Sequence, residues 1–223
     1  MKTVQIKGAS EQIPVGKIVC IGQNYAEHIR EMKAEVPTSP VFFLKPTTAL
    51  VHSGGEVVLP SISHDVHHEV ELTVLIGRDA KNVPQRAAME YVAGYGVGLD
   101  MTLRDVQAAA KKKGLPWTLA KGFDTSAPIS EFVSSKEVAD PGSLFLRLNV
   151  NGVMRQQSGT NDLIFSVDKL IAYISRFVTL EKGDIIYTGT PQGVAQVKSG
   201  DILEASLSDS AGTVLASLSA HIR

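Results

Sequence analysis

The sequence predicts a mostly β protein with a few helices, of the α+β class. Short runs of β-branched and other apolar residues recur along the chain, and glycine or proline bounds most of them. Asn151-Gly152 lies between two such runs and is the dipeptide typical of a two-residue β-hairpin turn. Only three segments carry clear helix signals. Together these observations predict one mixed, mostly β domain.

The strands follow from local composition. Turn tripeptides at 182–184 and 199–201, both ending in Gly-Asp, precede two of the later runs. We expect strands at 18–22, 41–44, 57–60, 70–77, 91–100, 144–150, 153–157, 184–190, 201–208 and 213–222.

Three helices are predicted from caps and periodicity. Asn24 followed by Glu27 resembles a capping box for a helix over about 25–34. Thr102 is the expected cap of a helix over 102–113, whose basic last turn suits the helix dipole. Segment 166–177 places Val167, Leu170, Ile171 and Ile174 at helical spacing, with Ser166 as its cap.

Composition narrows the function classes. The chain has 223 residues, a net charge of -1 and no long basic run, which argues against nucleic acid or an anionic membrane as a partner. No apolar stretch approaches the ~18 residues of a membrane span. The start, MKTVQIKG, lacks the apolar region of a signal peptide, so a cytoplasmic location is predicted. We expect a short N-terminal segment, 1–16, and a single catalytic domain, 17–223.

The single cysteine, Cys20, excludes an intramolecular disulfide. It lies in the apolar run KIVCIG, where a buried core thiol is the expected outcome and a catalytic nucleophile is not.

The stretch HHEVELTV, residues 67–74, places two acids in a run that otherwise resembles a buried strand. Alternate residues of a strand share a face, so Glu69 and Glu71 project to the same side while Val70 and Leu72 face the core. From this segment alone, a solvent-exposed face is the favoured explanation, because a surface strand with outward Glu, Glu and Thr is common. The alternative is a site in which both carboxylates converge.

A third acid favours a site. Asp100 ends the glycine-rich run GYGVGLD, next to the predicted helix at 102. If it joins Glu69 and Glu71 at about 5 Å, each pair repels by roughly 3 kcal/mol at an effective dielectric of 20. Such a cluster needs a cation or a raised pKa. Three oxygen ligands without cysteine indicate a hard divalent ion, Mg²⁺ or Mn²⁺.

The chain also resembles a known family, the fumarylacetoacetate hydrolase family, and within it the short members similar to acylpyruvate hydrolases. The resemblance runs in family order from about residue 17 and lacks the separate N-terminal domain of longer members. The stretches that carry it are GQNYAEHIREM (22–32), FFLKP (42–46), HHEVELTV (67–74), GLDMTLRD (98–105), WTLAKGFDTSAP (117–128), VNGVMRQ (150–156) and YTGTPQGV (187–194).

This resemblance implies a mixed β-roll, a homodimer, and Glu69, Glu71 and Asp100 as the metal ligands. One departure is visible. The loop before the first helix usually reads Gly-Arg-Asn-Tyr in the family, whereas Gln23 replaces the arginine here. This replacement removes a cation near the site, so the substrate can differ from that of family members that have the arginine.

The remaining site residues combine spacing with the family pattern. His28 and Glu31 lie three apart on the first predicted helix, where a carboxylate can raise the basicity of a histidine. A solvated helix face is the alternative for this pair. The resemblance implies that His28 and Glu31 activate a water molecule.

The remaining predictions are Lys121 as a third catalytic residue, which stabilises the enolate product, and a set of substrate contacts. Arg104 and Gln107, also three apart, are expected to hold substrate oxygens, with a surface arginine as the alternative. Lys121, in LAKGFD, and Arg104 would offset the charge of -1 left by three carboxylates and one Mg²⁺. The remaining predicted substrate-binding residues are Asn24, Gly189 and Thr190, for which a plain turn is the alternative at YTGTPQG.

These residues predict a Mg²⁺-dependent hydrolase that cleaves the C–C bond of acylpyruvates or fumarylpyruvate-like diketo acids. The alternative within enzymes is an oxaloacetate decarboxylase, or an isomerase or tautomerase of a 2-oxo-dienoate in aromatic degradation. A non-catalytic metal-binding or ligand-binding domain is the third hypothesis. The predicted partner is a small-molecule oxo acid, with no nucleic acid and no membrane.

Overall fold

The computed structural model describes residues 2–223, and its elements confirm the mostly β prediction. The strands are β1 (Thr3–Val4), β2 (Ile13–Pro14), β3 (Ile18–Gly22), β4 (Val41–Lys45), β5 (Leu50–His52), β6 (Gly55–Val57), β7 (Val66–His68), β8 (Val70–Ile76), β9 (Val92–Leu99), β10 (Thr102–Leu103), β11 (Ala127–Ile129), β12 (Val133–Ser134), β13 (Phe145–Val150), β14 (Val153–Gly159), β15 (Ile185–Tyr187), β16 (Ala195–Gln196), β17 (Ile202–Ser208) and β18 (Val214–Ile222). The α-helices are α1 (Ala26–Glu31), α2 (Arg104–Lys113), α3 (Thr118–Lys121) and α4 (Val167–Phe177).

Two mixed sheets form the body of the molecule. The larger has the order β4-β3-β15-β8-β9-β11-β5, with β12 paired to β9, and the smaller has the order β14-β13-β17-β18-β6. Most neighbours are antiparallel, but β15 pairs with β3, β11 with β5, and β18 with β6 in parallel. A three-stranded sheet, β10-β7-β16, extends the larger one at the end where the candidate site lies.

The main core fills the space between the two large sheets. Side chains of β8 and β9 meet those of β13, β17 and α4 there, and Val70, Leu72, Val74 and Ile76 all belong to this core. The predicted inward face of the HHEVELTV strand is therefore confirmed. A second core lies on the other side of the larger sheet, where Leu75 packs with residues of β3 and β15. Cys20 is fully buried in this second core, as expected, and burial raises the pKa of its thiol.

The predicted hairpin is confirmed. β13 and β14 pair in antiparallel fashion and are joined by Asn151-Gly152, whose φ angles are 51° and 76°. Positive φ at both central residues is the requirement of a type I′ turn, which glycine and asparagine meet at low cost.

The predicted helices exist, but their caps differ. Helix α1 is shorter than expected and begins after Tyr25, because the side chain of Asn24 binds distant backbone groups and makes no capping box. Thr102 does not cap α2: it lies in β10, and its hydroxyl donates to the carbonyl of Asp100. Ser166 occupies the N-cap position of α4, yet its hydroxyl donates to Asp168. The apolar face predicted for α4 is buried.

The N-terminal segment packs against the rest of the chain. Val4 and Ile13 lie in the second core, and the backbone N–H of Lys7 donates to the carbonyl of Phe132. The division into 1–16 and 17–223 stays a prediction of organisation. Among residues 2–223, no helix combines the length and the apolar character that crossing a bilayer requires.

Candidate functional site

Three buried carboxylates meet at the junction of β8 and β9. Glu69 lies between β7 and β8, Glu71 within β8, and Asp100 directly after β9. The antiparallel register pairs Glu71 with Gly98, and the N–H of Asp100 donates to the carbonyl of Glu69 at 2.8 Å. One oxygen from each carboxylate lies within 4.8 Å of the others. All three residues are at most 5% exposed, so the alternative of a solvent-exposed strand face is wrong.

Three cations surround this carboxylate cluster. Lys121 Nζ lies 2.7 Å from Oε2 of Glu69 and 2.6 Å from Oδ2 of Asp100. Arg104 Nη2 lies 2.5 Å from Oε1 of Glu69. Lys45 Nζ lies 2.7 Å from Oδ1 of Asp100, and Lys45 is itself 1% exposed. The sequence prediction included Lys121 and Arg104 but missed Lys45, although FFLKP was among the family-like stretches.

Burial and charge set the protonation of the two glutamates in opposite directions. Burial alone would raise the pKa of Glu69, but the charges of Lys121 and Arg104 hold that pKa below its ordinary value. Burial raises the pKa of Glu71 well above its ordinary value, and the negative charges of Asp100 and Glu69 raise it further. Burial alone would lower the pKa of Lys121, yet Asp100 and Glu69 raise it. Glu71 is thus the carboxylate that lacks an adequate positive partner.

The donor set fits a hard divalent cation. Its ligands would be carboxylate oxygens alone, which Mg²⁺ and Mn²⁺ accept. Oδ1 of Asp100 is buried and, within residues 2–223, has no hydrogen-bond partner of acceptable geometry, although Lys45 lies close by. The raised pKa of Glu71 indicates the same need for positive charge. An ion held by Glu69, Glu71 and Asp100 would satisfy both.

The predicted His28–Glu31 pair is formed on α1. Nδ1 of His28 and Oε2 of Glu31 lie 3.1 Å apart, and Glu31 also accepts a hydrogen bond from the N–H of Gly193 at 3.1 Å. His28 is 8% exposed, so the alternative of a solvated helix face does not describe it. The second acceptor contact ties α1 to the loop after β15. The catalytic role of this pair stays a prediction.

One pocket brings these groups together. Helix α1 contributes His28, and helix α2 contributes Arg104 and Gln107, whose Oε1 accepts a 2.8 Å hydrogen bond from Arg104. The residues that line the pocket are Ile21, Gly22, Gln23, His28, Ile29, Met32, Phe43, Glu69, Glu71, Arg104, Gln107, Lys111, Trp117, Lys121 and Thr190. The surface alternative for Arg104 is wrong, because its guanidinium points inward to Glu69. Phe43, Trp117 and Lys111 line the pocket without having been predicted.

Two of the predicted substrate-binding residues hold the site's backbone. The amide of Asn24 donates to the carbonyls of Phe165 and Thr188, and its oxygen accepts from the N–H of Phe165. The N–H of Gly189 donates to Oε2 of Glu71 at 2.7 Å. Neither residue lines the pocket, so their contact with substrate stays a prediction while their structural contacts are evident.

Thr190 reaches the pocket and is held there by Gln156, a residue that the sequence prediction missed. The amide nitrogen of Gln156 donates to Thr190 Oγ1 at 2.9 Å and to the carbonyl of Pro191. Its oxygen accepts from the N–H of Val70 and contacts the ring of His68. Gln156 is 1% exposed, and it connects the hairpin strand β14 to both sides of the site. Its inclusion in the family-like stretch VNGVMRQ was the only sequence signal for it.

Comparison with known proteins places the chain in one enzyme family. Residues 17–222 match the family model described as fumarylacetoacetate (FAA) hydrolase C-terminal. The chain is 53% identical over 190 residues to the mitochondrial oxaloacetate tautomerase FAHD1 of Rattus norvegicus. The aligned residues cover 85% of this chain and 86% of that protein. The human protein of the same name is 52% identical over 190 residues, which again cover 85% of this chain and 86% of that protein.

Solved structures agree with this comparison. The fumarylpyruvate hydrolase of Pseudomonas aeruginosa, in complex with Mn²⁺ and pyruvate, is 38% identical with a TM-score of 0.92, covering 99% of this chain and 94% of that one. The 2-hydroxyhepta-2,4-diene-1,7-dioate isomerase of Mycobacterium marinum is 34% identical with a TM-score of 0.81, covering 95% and 77%. The names of these relatives include a tautomerase, a hydrolase and an isomerase on one fold.

Proposed function

Since the chain belongs to the fumarylacetoacetate hydrolase C-terminal family, we propose that it is a divalent-metal-dependent enzyme that acts on small 2-oxo acids by moving a proton next to the oxo group. Oxaloacetate keto–enol tautomerisation is the leading reaction, because a named oxaloacetate tautomerase is 53% identical over 85% of the chain. The observation that carries the proposal is that Glu69 and Glu71 of the buried carboxylate cluster line one pocket with His28, whose ring pairs with Glu31. This choice differs from the sequence prediction, in which hydrolysis came first and the alternative was an oxaloacetate decarboxylase or a 2-oxo-dienoate isomerase or tautomerase.

The metal is proposed as Mg²⁺ or Mn²⁺, held by Glu69, Glu71 and Asp100. When bound, such an ion supplies a Lewis acid and a template for the carboxylate and oxo oxygens of the substrate. Arg104 and Gln107 project from α2 into the same pocket and orient the substrate oxygens. Thr190, fixed by Gln156, donates its hydroxyl to the substrate carboxylate.

The proton transfer is assigned to His28. Its ring removes a proton from carbon 3 of oxaloacetate, and the electron pair of the broken C–H bond moves toward the oxo oxygen. Glu31 stabilises the resulting positive charge on the ring, because its carboxylate lies 3.1 Å from Nδ1. The ammonium of Lys121 offsets the negative charge that develops on the enolate oxygen. The protonated ring of His28 gives its proton to that oxygen, which completes the enol and restores the base, and the reverse sequence regenerates the keto form.

Hydrolysis of acylpyruvates is the second candidate. It is favoured by the similarity to a fumarylpyruvate hydrolase whose structure was solved in complex with Mn²⁺ and pyruvate. In this reaction the His28–Glu31 pair removes a proton from water, whose oxygen attacks the distal carbonyl of the diketo acid. The C–C bond then breaks, the acyl group leaves as a carboxylic acid, and the electron pair of the bond remains on the pyruvate enolate, which takes the proton held by His28 to give pyruvate. Decarboxylation of oxaloacetate gives the same enolate without an attacking water.

One variant and one panel of substrates distinguish the three candidate reactions. We expect wild-type protein with Mg²⁺ or Mn²⁺ to equilibrate the keto and enol forms of oxaloacetate. Decarboxylation of oxaloacetate and hydrolysis of acetylpyruvate and fumarylpyruvate are measured beside it. His28→Ala should abolish tautomerisation and hydrolysis while decarboxylation persists, since only the last needs no base. His221→Ala, an exposed histidine on β18, is the matched control. No turnover of any panel member by wild-type protein would contradict the proposal.

The homodimer and the cytoplasmic location also stay predictions. A homodimer is supported by exposed apolar side chains along the edge strand β4 and the chain near α3, among them Val41, Leu44 and Leu115. Light scattering on the purified protein tests the dimer. The similar tautomerases are named as mitochondrial proteins, which differs from the cytoplasmic prediction for this chain. Imaging of the tagged protein in its own cells tests that prediction.

A further inference from the structure

One face of helix α2 carries three polar side chains into the pocket. Arg104, Gln107 and Lys111 are spaced i, i+3 and i+7, which places them in a row along a helix. All three line the pocket. The row begins at the metal end, where Arg104 binds Glu69, and its last member lies two turns further out, about 10.5 Å along the axis. Lys111 therefore stands at the outer end of the same pocket.

An aromatic wall connects the two ends. Lys121 Nζ lies 5.1 Å from the ring centre of Phe43 at the metal end. The rings of Phe43 and Trp117 meet edge to face with centres 5.8 Å apart. Lys111 Nζ lies 5.0 Å from the ring centre of Trp117. A cation over an aromatic face is held in position without neutralising its charge, so Lys111 is directed toward the pocket and stays available to an anion.

Lys111 is the one lysine or arginine of the pocket that lacks a carboxylate partner among residues 2–223. Arg104 and Lys121 both pair with Glu69. Partial burial lowers the pKa of Lys111, and the charge of Arg104 lowers it further. The charge of Lys121 also lowers this pKa, whereas the charge of Glu69 raises it. Gln23, which replaces the arginine usual in the family, adds no charge of its own.

The charges of the buried site point to the same kind of ligand. Glu69, Glu71 and Asp100 oppose Lys45, Lys121 and Arg104, so the six formal charges cancel. On the proposed function, a divalent cation would add two positive charges. An oxo acid with one carboxylate would leave a positive excess at a buried site, which is costly. An oxo acid with two carboxylates balances the charge of the ion, which leaves only the charge of Lys111 at the outer end of the pocket.

We propose that Lys111, held over Trp117, binds the second carboxylate of a dicarboxylic 2-oxo acid whose first carboxylate lies at the metal end. Lys111 thereby makes the site selective for dicarboxylic over monocarboxylic substrates. This inference rests on the proposed function and adds to it the residue that recognises the distal carboxylate and sets the preference for dicarboxylic substrates.

The test uses a pair of diketo acids that differ in the distal group. Fumarylpyruvate carries a second carboxylate, and acetylpyruvate carries a methyl group. Both are titrated by calorimetry into Mn²⁺-loaded His28→Ala protein, in which hydrolysis is blocked, and KM values are measured in the active protein. The variants are Lys111→Met, the charge-conserving Lys111→Arg, and the control Lys112→Met, whose residue lies on the same turn but outside the pocket.

We expect Lys111→Met to weaken fumarylpyruvate binding about tenfold, the size of one partly exposed charge-assisted hydrogen bond. Acetylpyruvate binding should change by less than about twofold, which is near the limit of the measurement. Lys111→Arg should retain most of the selectivity, and Lys112→Met should match the parent. Equal weakening of both acids by Lys111→Met, or no weakening of either, would overturn the inference alone. If the parent protein binds neither acid and wild-type turns over neither acid nor oxaloacetate, the proposed function fails and takes the inference with it.

Discussion

The ammonium of Lys45 lies 2.7 Å from Oδ1 of Asp100, and both side chains are buried from solvent. Lys45 also donates to Ser126 Oγ at 3.0 Å and to the carbonyl oxygens of Met101 and Lys121. The last residue of β4 therefore fixes one predicted metal ligand by its charge and the backbone of Lys121 by a hydrogen bond. These contacts make Lys45 a positioning residue for both ends of the cation–carboxylate network.

Replacing Lys45 with methionine should destabilise the protein by about 3–5 kcal/mol. The substitution keeps the apolar stem but leaves Asp100 buried without this partner, and breaking a buried ion pair on one side costs that much. Urea unfolding measures the loss. Lys182→Met is the control, because Lys182 pairs with Glu11 at the exposed surface and should cost less than about 1 kcal/mol. A loss at Lys45 no larger than at Lys182 would contradict the positioning role.

Glu31→Gln should lower kcat for oxaloacetate tautomerisation about a hundredfold while Mn²⁺ affinity stays unchanged. Glutamine can still reach His28, but it carries no charge to stabilise the protonated ring, and general base catalysis contributes at least that factor. Steady-state kinetics and Mn²⁺ titration measure the two quantities. The control is Glu27→Gln, since Glu27 pairs with Arg30 on the exposed side of the same helix. If both variants kept wild-type kcat, Glu31 would have no part in catalysis.

Gly189→Ala should disturb the site through the backbone. Gly189 has a φ of 102°, and a Cβ added there would lie 2.7 Å from Cβ of Asn24. The loop must shift, which weakens the hydrogen bond from its N–H to Glu71. We expect a loss of about 1–3 kcal/mol in stability and weaker Mn²⁺ binding.

The control for that variant is Gly212→Ala, where φ is also positive at 84° but an added Cβ would meet nothing within 4 Å. It bears the backbone cost alone, about 1 kcal/mol, and should leave Mn²⁺ binding as it is. Equal Mn²⁺ affinity in the two variants would show that the Gly189 contact does not support Glu71.

The pKa of Glu69 predicts part of the acid sensitivity of the fold. Its folded pKa lies below the ordinary value of 4.5, so the folded state binds fewer protons than the unfolded state in that window. The stabilisation of the fold by ionised Glu69 is therefore present above pH 4.5 and is lost as the pH falls toward the folded pKa. Glu71 acts in the opposite sense, because its raised pKa makes the folded state bind more protons at pH values above 4.5.

Glu69→Gln should therefore flatten the loss of unfolding free energy below pH 4.5. Urea unfolding in a chelating buffer, from neutral pH down to about pH 3, measures this slope. Glu204→Gln, on an outward position of β17, is the control and should keep the wild-type slope. A Glu69→Gln slope as steep as wild type would mean that Glu69 is not paired in the folded protein.

Local periodicity explains why much of the site could be predicted. The alternation in HHEVELTV fixes which side chains share a face, and the strand register then brings Asp100 opposite Glu69. The hairpin at Asn151-Gly152 is equally local. The three-residue spacing of His28 and Glu31 is a helix property, and the pair forms as that spacing requires.

The residues that were missed depend on distant contacts. Lys45 meets Asp100 across 55 positions, and Gln156 meets Thr190 across 34, so no local pattern reveals either contact. The capping box predicted at Asn24 was wrong for the same reason, because Asn24 binds Phe165, far along the chain. Lys111 differs from these. Its spacing from Arg104 and Gln107 is visible in the sequence, but the direction of that helix face is set by the fold.

The central claim is that Glu69, Glu71 and Asp100 jointly hold one divalent ion. Electron paramagnetic resonance of Mn²⁺ titrated into metal-stripped protein tests it most directly, with Asp100→Asn beside wild type. We expect wild-type protein to bind one Mn²⁺ per chain, and Asp100→Asn to bind it at least about tenfold more weakly. Wild-type protein that leaves stoichiometric Mn²⁺ free in solution, or an Asp100→Asn variant that binds it equally well, would contradict the account.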